Sequence, residues 1–226
     1  MTHKLNIILI EIENILRNEL NTGEKELIYD PVVSQVSRDS HAELNELEKS
    51  IQGCSLCKLH THRTNLVFGD GNPNAELMFI GEGPGADEDF QGKPFVGRAG
   101  KLLDRIIAAM GFDRKDVYIG NIVKCRPPDN RTPEADEILA CSPVIFKQIK
   151  IIKPKVICCL GLPAAQTILK TNQPMKSLRG KFFNFGGIKV LPTYHPAYVL
   201  RNPNIARPLV WEDVQKIMDL FGKKKQ

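Results

Sequence analysis

Four short apolar runs, each handed on to a segment of helical spacing, restrict what this chain can fold into. The runs lie at 76–81, 117–123, 155–160 and 188–194. Helical periodicity falls at 98–110, 134–151, 162–170 and 208–221, in segments that start near prolines and end at glycine or charged residues. Strands that alternate with helices pair in parallel through helical crossovers. The pattern predicts an α/β fold, a three-layer αβα sandwich around a four-stranded parallel sheet.

An N-terminal helical extension and linker (residues 1–50) precede the α/β domain (51–226). Leu5, Ile8, Leu9, Ile12, Ile15, Leu16 and Leu20 form one apolar stripe at helical spacing, which Asn21-Thr-Gly23 ends. A linker runs from Tyr29-Asp-Pro31 to about Ser40, and a second helix is expected from His41 to Ile51. The stripe can pack on the domain or dock a protein partner, and packing is the simpler reading.

Composition narrows the class further. At 226 residues the chain can bury a sizeable core, and its 42% hydrophobic and 25% charged content is that of a soluble globular protein. Lys and Arg exceed Asp and Glu by 31 − 26 = 5, a basic excess compatible with a nucleic-acid partner. No run approaches the roughly 20 apolar residues of a membrane span. Glu11 and Glu13 interrupt what would otherwise resemble a signal sequence. The expectation is a cytoplasmic, monomeric protein with no membrane contact.

Six cysteines in such a chain point to metal ligands or core residues before disulfides. Cys158 and Cys159 are adjacent inside an apolar strand run and are expected to face opposite sides of the sheet as small buried hydrophobes. Cys54-Ser-Leu-Cys57, Cys125 and Cys141 remain. Four thiolates suit zinc or an iron–sulfur cluster, and ligand count alone does not choose. A CxxC of the thioredoxin kind would open a helix after a strand, which is not the context here.

The chemistry is expected where strand ends meet. Gly81-Glu-Gly-Pro-Gly85 follows one apolar strand, and His195-Pro-Ala-Tyr198 follows another. Loops leaving neighbouring strand ends form the usual ligand crevice of an open α/β sheet. The glycines, Gly83 among them, let a bound group approach main-chain amides. Glu82, Asp87, Glu88 and Asp89 crowd the turn: a phosphate loop is excluded because no Gly-Lys-Ser/Thr follows, and a dinucleotide site because the glycine spacing is wrong and the acids would repel pyrophosphate. Asp87 and Asp89 serve equally well as helix caps. Phe95, between glycine-bearing turns, can offer its face to a planar ligand. Asn121 ends a strand and can present both a donor and an acceptor.

Taken together, Gly81-Glu-Gly-Pro-Gly85, the four spaced cysteines, Asn121 ahead of Lys124-Cys-Arg-Pro-Pro128, and His195-Pro-Ala-Tyr198 resemble the family 4 uracil-DNA glycosylases over roughly residues 50–221. The resemblance implies a DNA repair enzyme that flips deoxyuridine out of single- or double-stranded DNA and hydrolyses its N-glycosidic bond. It implies a 4Fe-4S cluster on Cys54, Cys57, Cys125 and Cys141. It assigns Phe95 to stacking on the base, Asn121 to reading uracil and His195 to donating to uracil O2. Glu82 matches the turn acid and is the candidate for orienting the attacking water. Glu88 matches the position that crowds a thymine methyl, and Asn130 an amide in the Pro-Pro-x-Asn-Arg loop. After His195, Leu200 would fill the vacated stack and Arg201 would touch phosphate, although Leu200 reads equally as a buried helix leucine. A branch of the superfamily crosslinks to DNA through a histidine before the last cysteine. Arg126-Pro-Pro-Asp-Asn-Arg-Thr-Pro133 contains none, so turnover without an adduct is expected. An iron–sulfur electron carrier and a non-catalytic DNA-binding scaffold are the alternatives.

Overall fold

The computed structural model describes residues 39–223. The amphipathic helix expected over residues 5–20, the linker after it and the last two lysines of the basic tail lie outside them. The chain enters as α1 (Ser40–Ile51), capped by Asp39, whose carboxylate accepts from the His41 amide at 3.0 Å. It continues through β1 (Asp70–Gly71), β2 (Leu77–Gly81), α2 (Ala86–Gln91), α3 (Arg98–Ala109), β3 (Tyr118–Asn121), α4 (Ala135–Ile152) and β4 (Val156–Leu160). Then come α5 (Leu162–Leu169), α6 (Met175–Leu178), β5 (Phe183–Phe185), β6 (Ile188–Thr193), α7 (Pro196–Arg201) and α8 (Pro203–Leu220).

The sheet order is β1-β3-β2-β4-β6-β5. Its inner four strands are parallel and correspond to the four apolar runs, while β1 and β5 add antiparallel edges. The described sheet thus has six strands where four were expected. The two additions are only two and three residues long, too short to show a period.

Alternation along each inner strand feeds two separate cores. Met78, Ile80, Ile157 and Cys159 meet α1, α4, α5 and α6 on one face. Leu77, Phe79, Val156, Cys158 and Leu160 meet α3 and α8 on the other. Cys158 and Cys159 are both fully buried on opposite faces, as their adjacency in a strand requires. α1 lies on α4 through Leu44.

Because β2 leads to α3 on one face and β4 to α5 on the other, the connections change face between β2 and β4, and the C-terminal edge of the sheet about that point offers a crevice. The strand that feeds it is anchored from below. Asp213 of α8, fully buried, accepts from Thr193 at 2.7 Å and pairs with Arg179 at 2.5 and 3.1 Å, fixing the end of β6 just before His195. α8 starts at Pro203 rather than near residue 208: Pro203 occupies the first turn, where a missing N–H is harmless, and Pro208 is carried inside the helix. No helix among the described residues is long and apolar enough to cross a membrane.

Candidate active site

A cleft of about 400 Å³ opens at the C-terminal ends of β2, β3 and β6. Glu82, Gly83, Glu88, Phe95, Asn121, Asn130, His195 and Arg201 all line it, so eight of the nine residues picked out for catalysis, substrate binding or DNA contact come together there. The ninth, Leu200, lies one residue before Arg201 on α7 and is 43% exposed, which removes the reading of it as a buried helix leucine.

The floor is built by close approach. β3 pairs with β2 in register Gly81↔Asn121, and the ladder runs on into the loop, with the Ile122 and Val123 amides donating to Gly81 and Glu82 carbonyls at 3.0 and 3.1 Å. A Cβ on Gly81 would overlap Asn121 Oδ1 and stand 2.6 Å from Phe95 Cζ. Glycine at 81 is what lets the amide and the ring share that corner. Asn121 is 1% exposed, and its Oδ1 is the one buried side-chain polar atom among the described residues without a hydrogen-bond partner. Buried polar atoms are nearly always paired, so an orphaned acceptor on a residue that lines the cleft marks a place for a donor from outside. Its main chain is held separately: the Asn121 carbonyl accepts from buried Lys124 Nζ at 2.9 Å, and Lys124 also donates to Gln148 at 2.7 Å.

Phe95 and His195 are neighbours on the cleft lining, their ring centroids 5.6 Å apart and their planes tilted by 32°. His195 caps α7, and its Nδ1 accepts from the Ala197 amide at 3.1 Å. An Nδ1 that accepts leaves the proton of a neutral imidazole on Nε2. Burial pulls the ring's pKa down to about 4, and the nearby charge of Arg201 acts in the same direction. His195 is therefore a neutral donor over the ordinary pH range. Glu82 shifts the other way: burial raises its carboxyl above the usual value, against a lowering by Thr132.

Glu88 has its oxygens engaged. It accepts from the Val96 and Gly97 amides, both at 2.9 Å, and from Gly85 at 3.1 Å, so its side chain lines the cleft in one fixed pose. Asp89 is 4% exposed and accepts from the Thr64 and Asn65 amides, a purely structural placement. Asn130 has positive φ, and its Oδ1 is taken by Arg126 Nε at 2.9 Å, so its amide nitrogen is what it can offer a ligand. Arg131, which the motif reading passed over, also lines the cleft and forms a fork on buried Glu137 at 2.7 and 2.8 Å. The Pro-Pro-x-Asn-Arg pattern contained that arginine, but nothing in it pointed to a glutamate six residues on.

The four spaced cysteines converge elsewhere. Cys54, Cys57, Cys125 and Cys141 line a small cavity of about 40 Å³ between the end of α1, the segment after β3, and α4. All are free thiols. Two sulfurs already receive N–H groups, Cys125 from Arg63 and Cys141 from the Lys124 amide, each at 3.2 Å. Among the described residues no three His, Cys, Asp or Glu side chains could hold a single metal ion. Four thiols distributed round a cavity, with N–H donors aimed at the sulfurs, fit a group larger than one ion.

Comparison with known proteins agrees with this geometry. Residues 68–216 match the uracil DNA glycosylase superfamily. A type-4 uracil-DNA glycosylase of Saccharolobus solfataricus is 49% identical over 190 residues, 80% of this chain and 88% of that protein. The type-4 enzyme of Thermotoga maritima is 45% identical over 186 residues, 80% of this chain and 97% of its own length. That of Archaeoglobus fulgidus is 43% identical over 190 residues, covering 80% and 95%. With two-thirds of its length inside the family and relatives matched nearly end to end, the chain belongs to the uracil-DNA glycosylase superfamily, in its type-4 branch.

Proposed function

We propose that this protein is a monofunctional uracil-DNA glycosylase of base excision repair, taking deoxyuridine out of the DNA stack and hydrolysing its N-glycosidic bond. The orphaned Oδ1 of Asn121 carries the reading. Uracil presents an N3–H donor beside the O4 acceptor, which matches the oxygen and nitrogen of a fixed amide. Cytosine reverses both groups and would leave the buried amide unpaired. An electron carrier or an inert scaffold gives that orphaned oxygen no purpose.

The rest follows from charge development. The bond breaks toward an oxocarbenium sugar and a uracil anion. His195 Nε2–H donates to the oxygen on which negative charge collects, and as a neutral group it stabilises the anion without giving up its proton. Phe95 stacks on the flipped ring. Glu82 orients the water that adds to the sugar, and the fixed side chain of Glu88 crowds the place where thymine carries a methyl. Asn130 and the Gly83 main chain complete the base pocket. On the rim, Leu200 fills the vacated stack and Arg201 meets phosphate.

The four-cysteine cavity would hold a 4Fe-4S cluster, which when bound supplies a covalent staple between α1, the segment after β3 and α4. Hydrolysis requires no electron transfer, and the cysteines line a separate cavity from His195 and Asn121.

The test is an oligonucleotide with one labelled uracil, incubated with excess anaerobically purified protein and then cleaved with alkali at abasic sites. Cleavage at uracil, absent with thymine or cytosine and with no protein–DNA adduct, is the expected result. Cluster-loaded protein that leaves the uracil strand intact would sink the proposal.

A further inference from the structure

The loop that carries Phe95 is gripped from two sides. On the cleft side, Glu88 accepts from the Val96 and Gly97 amides. On the far side Arg114, in the turn just before β3, donates to the Pro94 carbonyl at 2.6 Å and the Phe95 carbonyl at 3.1 Å. The same guanidinium is fixed by Asp104 of α3 at 2.5 Å, with Asp70 of β1 at 4.0 Å from its Nε. Phe95 itself has φ +53°, a conformation that L residues other than Asn and Asp rarely adopt and that persists only where neighbours over-determine it. Arg114 does not line the cleft.

We infer that Arg114 is a positioning residue for base stacking: it holds the backbone of residues 94–95 so that the Phe95 ring stays against His195 and Asn121. The inference rests on the stacking role proposed above. A planar guanidinium presents its donors in a rigid fork that takes two consecutive carbonyls and a carboxylate at once, whereas a lysine concentrates its three donors at one point on a flexible stem. Relaxing Phe95 out of the left-handed region would swing its ring away from the base, and small misplacements of a positioning group are expensive in rate.

A double-mutant cycle tests this with single-turnover uracil excision. Arg114→Met is expected to lower the rate about 10- to 100-fold in the native background. It is expected to change the rate by less than about twofold in a Phe95→Ala background, because contacts that act through one group are non-additive. Arg114→Lys, which keeps the Asp104 pair but only one carbonyl, should fall between, and it carries the cycle if the methionine variant does not fold. Equal losses in both backgrounds, or an unchanged rate in the native one, would overturn the inference and leave Arg114 a structural residue. If Phe95→Ala alone excises uracil at the native rate, the stacking role itself fails and this inference with it.

Discussion

At the scale of single residues, two groups of the cleft with opposite charged forms, His195 and Glu82, feel the same burial. Burial drives both toward neutrality, which lowers the pKa of His195 and raises that of Glu82. If Glu82 orients water as a carboxylate, the acid limb of the excision rate should lie above its ordinary value of 4.5 and belong to Glu82. Rates measured from pH 4 to 9 should then show that limb in the native protein and lose it in a slower Glu82→Gln variant; a limb that survives the substitution refutes the assignment. His195 has its own signature. Its folded pKa of about 4 lies below the ordinary 6.5, so the unfolded chain binds more protons between those values. Its contribution to stability is present above pH 6.5 and is lost as pH falls toward 4. Melting temperatures of His195→Gln should accordingly fall less steeply across that window than those of the native protein. His195→Ala should cut single-turnover excision by about 10²–10³ while DNA affinity stays within a few-fold, since it removes one donor from the developing anion.

At the scale of elements, legibility followed length and period. The four inner strands carry apolar runs and were readable, and so was the crevice, because its glycine loop and histidine directly follow two of those runs. β1 offers only Asp70 and Gly71 and leaves no pattern. β5 carries a turn signal in place of a period: Phe183-Asn-Phe-Gly-Gly-Ile188 is a strand, a two-glycine turn and a strand. Gly186 and Gly187 take φ +54° and +86°, the primed-turn geometry that suits a hairpin, and Asn184 accepts from the Gly187 amide at 2.8 Å. The contacts that tie Asn121 to Lys124 and Arg131 to Glu137 were not legible, since helix and strand periods say nothing about which polar side chains meet. The turn after β2 yields a prediction of its own. Gly81→Ala must displace Asn121 or Phe95, both buried at the floor of the cleft, and overpacking of this kind costs about 1–3 kcal/mol. The melting temperature should drop by a few degrees while uracil excision falls far more steeply than stability explains. Retention of native excision would show that the corner at Gly81 is not part of the base pocket.

At the scale of the whole molecule, the two cavities answer different needs. The sheet and its paired cores hold the cleft through ordinary burial, to which the four cysteines add only Cys125 inside one core and Cys57 and Cys141 packed against it. The stretch from 52 to 65 is different. Its only regular structure is one short 3₁₀ turn, Lys58–Thr61, and it is held by Leu59, by Arg63, by the hydrogen bonds of Asp89 to Thr64 and Asn65, and by Lys58 with Glu134 on the way into α4. So sparse a segment has little burial to offset the entropy of ordering it. A cluster on Cys54, Cys57, Cys125 and Cys141 would close a long loop and supply what burial does not, as structural metal sites do elsewhere. Spacing in the chain could not reveal this, because it does not say that the end of α1 comes back to α4. Cluster removal by oxidation and chelation should therefore raise amide hydrogen exchange across residues 52–65 and the start of α4, and leave β2, β4 and β6 protected. Excision should fail only as far as the Asn130–Arg131 loop, which follows Cys125, loses its seat. If exchange rises uniformly through the sheet instead, the cluster is holding the entire fold, and the division of labour between the two cavities is wrong.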